Sequence, residues 1–182
     1  MPCSQTLAGL AKDCLSSMGG IVEVYLANRE AINNLVLTAD GEIKDIQRVE
    51  DGQFFKYEFA RNTGSLSSNY TVDDTTGAKY VVSDLVLVFN RMDTDKRIEI
   101  TALAQSELVA IVKDANGKYW YLGYDEPISI SAGDGLTGTA RGDRNGYSIT
   151  LQDNSLEMPH EVLVGDSGVD LDALLEPYDP QE

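Results

Sequence analysis

Along much of the chain apolar side chains alternate with polar ones at a period of two, the pattern of strands that have one wet face. In "QFFKYEFA", Phe55, Tyr57 and Phe59 point one way while Lys56 and Glu58 point the other. "ELVAIVKDANGKYWYLGY" holds two alternating runs separated by Asp114 to Lys118. Asn116-Gly117 at the turn makes this a β-hairpin. The same reading predicts a strand over Ile21 to Ala27, a hairpin of Leu35–Thr38 with Glu42–Ile46 around Asp40-Gly41, and short strands at "PISISA" and "GYSITLQ". From Leu85 to Phe89 the chain is apolar at consecutive positions, as in a central strand covered on both sides.

Two stretches break this rhythm with a helical one. Leu7, Leu10, Ala11, Cys14, Leu15 and Met18 predict an amphipathic helix over 7–18, ended by Gly19-Gly20. In "DTDKRIEITALAQSE", Ile98 and Ile100 alternate like a strand, but Ile100, Leu103, Ala104 and Leu108 recur like a helix. Helix is favoured, since Asp93 or Thr94 can cap it, Asp95 suits its positive end, and Ala, Leu, Gln and Glu are good formers. Between strands, "RNTGSLSSNYTVDDTTGAKY" is polar, with turns at Asn62–Gly64 and Asp73–Gly77 around a short strand from Leu66 to Val72. It reads as an extended hairpin or loop over 62–79 that projects from the body, of the size that usually serves function or a partner.

The sum is an α+β fold, mainly β: an antiparallel β-sandwich or small barrel with one flanking helix and a long protruding hairpin. Residues 1–164 form a single domain and 165–182 an acidic C-terminal tail. No repeat of 20–50 residues is present, so a solenoid or propeller is not indicated.

Charge narrows the function. With 14 Lys and Arg against 30 Asp and Glu, the net charge is −16. Gripping a duplex takes clustered cations, so a DNA-binding surface is argued against. After Arg144 there is no Lys or Arg, and nine acids follow. That stretch reads as a solvated tail or as one that docks on a basic neighbour. Lys12 and Asp13 interrupt the apolar stretch near the N-terminus, which makes it a poor secretory signal, and no run reaches the ~20 apolar residues of a membrane span. The chain reads as a soluble protein made inside the cell.

Candidate chemistry is sparse. Cys3 and Cys14 form no CxxC, and the single histidine, His160, lies far from both, so the usual zinc ligand set is absent. His160, between Pro159 and Glu161, has no motif of a catalytic base around it. "SAGDGLTGTARGDRNGYSITL", Ser131 to Leu151, was compared with three templates. It lacks the lysine and following helix of a phosphate loop, and Asp143-Arg144-Asn145-Gly146 is only a fragment of a calcium loop within 133–146. Arg141-Gly142-Asp143 matches an adhesion tripeptide, but Gly142 and Asn145-Gly146 are first of all turn residues, where φ is positive. Tyr119, Trp120, Tyr121 and Tyr124 suggest a sugar- or base-stacking surface. Alternation gives Tyr119 and Tyr121 one face and Trp120 and Leu122 the other, so at least one pair is core. The residues offer no catalytic group, cofactor or metal site.

"GKYWYLGYDEPISISAGDGLTGTARGDRNGYSITLQDNSLEMPHEV", Gly117 to Val162, together with "GGIVEVYLANREAI", Gly19 to Ile32, and the helix–hairpin block from Asp95, resembles virion structural proteins of tailed bacteriophages, especially phages of Bacteroides-type gut bacteria. It is similar to tail tube proteins and to ring or connector proteins of crAss-like phages. The resemblance implies a small barrel or sandwich with a helix, subunits that join sheets around a sixfold or twelvefold ring, and rings that stack into a conduit in the virion tail. Assembly would take place in the host cytoplasm, beside neighbouring tail or connector proteins. DNA would pass without specific binding, repelled by the negative charge. The alternative from a different class is a carbohydrate- or receptor-binding β-sandwich module of a virion or cell surface.

Overall fold

The structure is a computed structural model that describes residues 9–10, 14, 16–165 and 168–179. The helix expected over 7–18 falls largely outside the described residues, and Ser16 to Gly19 run without regular secondary structure. In chain order the described elements are strands β1 (Ile21–Asn28), β2 (Ile32–Leu37), β3 (Ile43–Arg48), β4 (Phe55–Tyr57), β5 (Ser65–Asp73) and β6 (Ala78–Asn90). Helix α1 (Thr94–Ala104) is followed by β7 (Leu108–Asp114), β8 (Tyr119–Leu122), β9 (Ser129–Leu136), β10 (Gly146–Ser155), β11 (His160–Val162) and the short helix α2 (Leu171–Leu174).

These strands make two sheets. Sheet A has the order β2-β3-β11-β8-β7-β1-β4 and sheet B the order β5-β6-β10-β9. All pairs are antiparallel except β11 with β3, where Val162 meets Ile43. The fold is therefore the expected mainly-β two-sheet one with a flanking helix. Asp93 caps α1, its carboxylate accepting from the Lys96 N–H at 2.9 Å.

The core between the sheets comes from one face of each: Val24 and Leu26 of β1, Ala110 and Val112 of β7, Leu85 and Leu87 of β6, and Ile149 and Leu151 of β10. Leu103 is the one buried residue of α1 and joins the same core. A second core lies on the other side of sheet A, built from Tyr25, Ala27, Val109, Ile111, Ile43, Phe54 and Tyr121. Strands covered on both faces are therefore β1 and β7. On β6, where this was expected, Leu85, Leu87 and Phe89 are buried but Val86 and Val88 are only half-buried. Nothing in the described chain covers that outer face as a second core.

Two further expectations change. In "QFFKYEFA" only Phe55–Tyr57 is strand, and the buried ring is Phe54, which alternation had turned outward. Its N–H donates to the Leu174 carbonyl at 2.9 Å, so the C-terminal segment, not a sheet neighbour, fixes its direction. The acidic tail is the second difference. Residues 168–179 fold back over the second core: Val169 and Leu174 are buried there, and Asp170 caps α2 by accepting from the N–H groups of Asp172 and Ala173. Its acids face water while its few apolar residues fill the core, an amphipathic division that net charge hides.

Candidate assembly surface

The residues singled out for chemistry are taken up by structure. His160 sits in β11 of sheet A, not in a solvated tail. Its Nδ1–H donates to the Gly41 carbonyl at 2.7 Å, and its ring packs on Tyr124 with centroids 4.5 Å apart. Tyr121 and Leu122 are both buried, on opposite faces of β8, and the half-buried Trp120 indole donates to Asp114 at 3.4 Å. The Asp143 carboxylate accepts from the N–H groups of Ala140 and Thr139 at 2.7 and 2.8 Å, and these bonds hold it below the usual carboxylate range. The Asp of the adhesion tripeptide is thus spent on its own turn. Among the described residues no three His, Cys, Asp or Glu side chains gather as a metal requires.

The Gly-rich stretch is not all turn. Residues 129–136 form β9, so Gly133 and Gly135 lie inside a strand, opposite Ile149 and Tyr147 of β10. A Cβ on Gly135 would stand 3.1 Å from the Tyr147 ring, so glycine leaves room for that ring. Positive φ falls at Gly138 (+71°) and Gly146 (+156°), not at Gly142. The hint in the sequence was the strand-like spacing of Ser129, Ile130 and Ser131 running on into it.

Two titratable clusters remain. On the second-core side of sheet A, Glu23 accepts from Lys56 at 3.0 Å, Lys113 at 3.3 Å and the Tyr25 hydroxyl at 3.1 Å. Burial opposes ionisation of Glu23, but these donors outweigh it and lower its pKa. At the far end of the inter-sheet space Asp153 is 3% exposed and has no cation partner among the described residues. Burial raises its pKa, against hydrogen bonds from the Ser155 hydroxyl and the Gly123 N–H. Its proton is held more tightly folded than unfolded, so its ionisation destabilises the fold as pH rises above the ordinary Asp range. Asp153→Asn is expected to stabilise the protein by about 1 kcal/mol at neutral pH. The gain should fade as pH drops below about 4. Thermal melts of both proteins across pH check this.

What stands out on the surface is sheet B. Its outer strands, β5 and β9, are nine and eight residues long and each has one hydrogen-bonded neighbour. Natural sheets blunt such edges with lysine, proline, bulges or brevity, because bare N–H and C=O groups recruit another strand. Neither strand contains Lys, Arg or Pro, and β9 has a single register shift. The edges of sheet A are better shielded: β4 has three residues, and β2 is six residues long with two register shifts.

The outer face of sheet B is also distinctive. Its rows, read across the sheet, are Val88–Ser148–Asp134, Ser65–Val86–Thr150–Ala132 and Ser67–Asp84–Gln152–Ser129, then Asn69–Val82–Asn154. These positions are valine, alanine, hydroxylic, amide or acidic, and none is a cation. The only Lys or Arg in the four strands is Lys79, which shares the other face with Val81 and Ser83. Beyond the last β10 pair, Ser155 with Val81, the β5–β6 hairpin continues through the pairs Thr71–Tyr80, Val72–Lys79 and Asp73–Ala78. Residues 62–79 are thus largely β5, its turn and the start of β6. Tyr70 and Val72 near the tip are 62% and 55% exposed.

No protein family, curated protein or solved structure that was compared matches this chain.

Proposed function

We propose that the protein is a non-enzymatic virion structural subunit of the tailed-bacteriophage tail type, which joins copies of itself through the edges of sheet B into a ring or tube around a DNA conduit. The observation that carries this reading is the pair of long outer strands, free of Lys, Arg and Pro, on a four-stranded antiparallel sheet. In the order β5-β6-β10-β9, β5 and β10 run one way and β6 and β9 the other. A β9 edge set beside the β5 of the next copy is therefore antiparallel as well, and the sheet continues without a change of pattern. Such a contact is heterologous, so it closes into a ring when the rotation per copy permits. The ring is sixfold or twelvefold on the resemblance to phage proteins.

The cation-free outer face of sheet B supports the conduit. Turned toward the lumen, Asp84, Asp134 and the hydroxyl and amide side chains offer phosphate no counterion-releasing contact, and DNA slides.

Electron microscopy and sedimentation of the purified chain test the reading. Rings are expected, and a protein that stays monomeric at every concentration sinks it. Asn69→Glu with Thr71→Glu, which puts two charges on the β5 edge with no acid of the same chain opposite, is expected to leave the melt unchanged. It should raise the concentration needed for rings by about tenfold or more. Rings at wild-type concentrations would remove β5 from the interface. Deleting 63–78 would be a poorer test, because it takes away β5 and with it Leu66, which packs against the inter-sheet core.

A further inference from the structure

The chain holds two Asn-Gly pairs, Asn116-Gly117 and Asn145-Gly146. Glycine has no side chain to shield its amide nitrogen or to restrict its backbone, so at such a pair that nitrogen can reach the carboxamide carbon of the asparagine before it. The fold treats the two pairs differently. Gly146 is buried in the β6–β10 ladder, and Asn145 is fixed by the Arg91 N–H on its carbonyl at 2.6 Å and the Met92 N–H on its side chain at 3.0 Å. Asn116 and Gly117 are exposed at the β7–β8 turn, and a Cβ on Gly117 would meet nothing within 4 Å. The Gly117 N–H donates to the Asp114 carbonyl at 3.2 Å, near the long limit of a hydrogen bond.

The Asn116 carboxamide pairs with the backbone of Met18 as a second peptide group would. Its Oδ1 accepts from the Met18 N–H at 2.8 Å, and its Nδ2 donates to the Met18 carbonyl at 3.0 Å. Together with the bond from the Ala115 N–H to the Gly20 carbonyl at 3.0 Å, this pairing ties residues 16–20, which have no regular secondary structure, to the turn. Met18 is 64% exposed and lines a groove of about 270 Å³ with Trp120, Leu66 and Ile21. A segment held by a few exposed bonds opens far more often than the sheet beneath it.

We propose that Asn116 is a site of spontaneous deamidation, and that this modification releases residues 16–20 from the β7–β8 turn. The reaction starts when Met18 detaches and the carboxamide turns toward Gly117. The Gly117 nitrogen attacks Cγ as it gives up its proton, the Cγ–Nδ2 bond breaks, and Nδ2 leaves as ammonia with that proton, which leaves a cyclic imide. Water then opens the imide: breaking its nitrogen–Cγ bond gives aspartate, and breaking the original peptide bond gives isoaspartate. Either product has a carboxylate where the carboxamide was. A carboxylate has no donor for the Met18 carbonyl and repels that oxygen, so the pairing does not re-form and the open state is retained. The site acts within a single copy, whether or not copies join into rings.

The test incubates the purified full-length chain in warm, mildly alkaline buffer, where a backbone amide gives up its proton more readily, and follows both asparagines by peptide mass mapping. Asn116 is expected to convert to aspartate and isoaspartate about tenfold faster than Asn145, or more, because only its pair is exposed and opens locally. Gly117→Ala should slow that conversion about tenfold, since a methyl group shields the nitrogen. Met18→Pro removes the N–H that Asn116 accepts and is expected to speed the conversion several-fold. Asn116→Asp supplies one product directly. It should quicken exchange of the Ala115 amide about fivefold or more and change the emission of Trp120, the one tryptophan of the chain. An Asn116 that converts no faster than Asn145, a rate that either Gly117→Ala or Met18→Pro leaves unchanged, or wild-type exchange at Ala115 in Asn116→Asp overturns the inference.

Discussion

Gly146→Ala is expected to cost about 3 kcal/mol or more, or to prevent folding. Gly146 opens β10 at the point where it pairs with Asn90, and its φ is +156°. A Cβ there would stand 2.0 Å from the Phe89 carbonyl oxygen and 3.1 Å from the Arg91 nitrogen. Both are backbone atoms in a strand pair, so neither can swing aside as a side chain would. Relief requires the β6–β10 ladder to open at its end, which would also unseat the contacts of Asn145 with Arg91 and Met92. Gly142→Ala, four residues away in the same glycine-rich stretch, meets nothing within 4 Å and is expected to stay within about 0.5 kcal/mol of wild type. Denaturant unfolding of the two variants makes the comparison, and equal effects would contradict the geometry.

Arg48→Ala is expected to destabilise the protein by about 2–3 kcal/mol and to loosen the C-terminal segment first. One guanidinium nitrogen, Nη1, reaches three carbonyl oxygens: Glu176 at 2.7 Å, Gly52 at 3.0 Å and Leu174 at 3.4 Å. The same group lies 5.2 Å from the centroid of the Tyr178 ring. Backbone bonds from Asp51 and Phe54 to Tyr178 and Leu174, at 2.9 Å each, then continue the attachment. Without Arg48 the carbonyls keep no charged donor, and Val169 and Leu174 are held over the second core by packing and the remaining bonds alone. Hydrogen exchange should show the amides of Phe54 and residues 169–178 exposed well before those of β7. Arg48→Lys should recover only part of the loss, because an ammonium cannot lie over the Tyr178 ring as the planar guanidinium does. Exchange that accelerates uniformly across the chain would mean that the segment is not a separate layer.

The β7–β8 hairpin was legible because Gly117 supplies the positive φ its turn requires, and the start of α1 because a capping side chain at Asp93 or Thr94 satisfies an N–H a few residues away. Those are interactions within a few residues. Arg48 carries little local signal: it sits in an exposed-looking run, and two of its three carbonyl partners lie more than a hundred positions further on. Phe54 failed for the same reason: alternation turned it to a face expected to be wet, but the distant C-terminal segment covers that face as the second core and leaves Phe55, expected inside, 53% exposed. In the glycine-rich stretch, composition suggested turns throughout, whereas the pairing with β10 recruited its first half into β9.

The sequence by itself determined that the protein is mainly β, with a helix capped at Asp93 or Thr94, a tight β7–β8 turn, few candidates for chemistry and a strong excess of acid. Each depends on periodicity, local hydrogen bonding or a sum over residues. Only the tertiary structure decided that the acidic end of the chain closes a second core and that β5 and β9 are the outer strands of sheet B. Those outcomes depend on which distant strands become neighbours, and strand order is set by the packing of two cores rather than by any short segment.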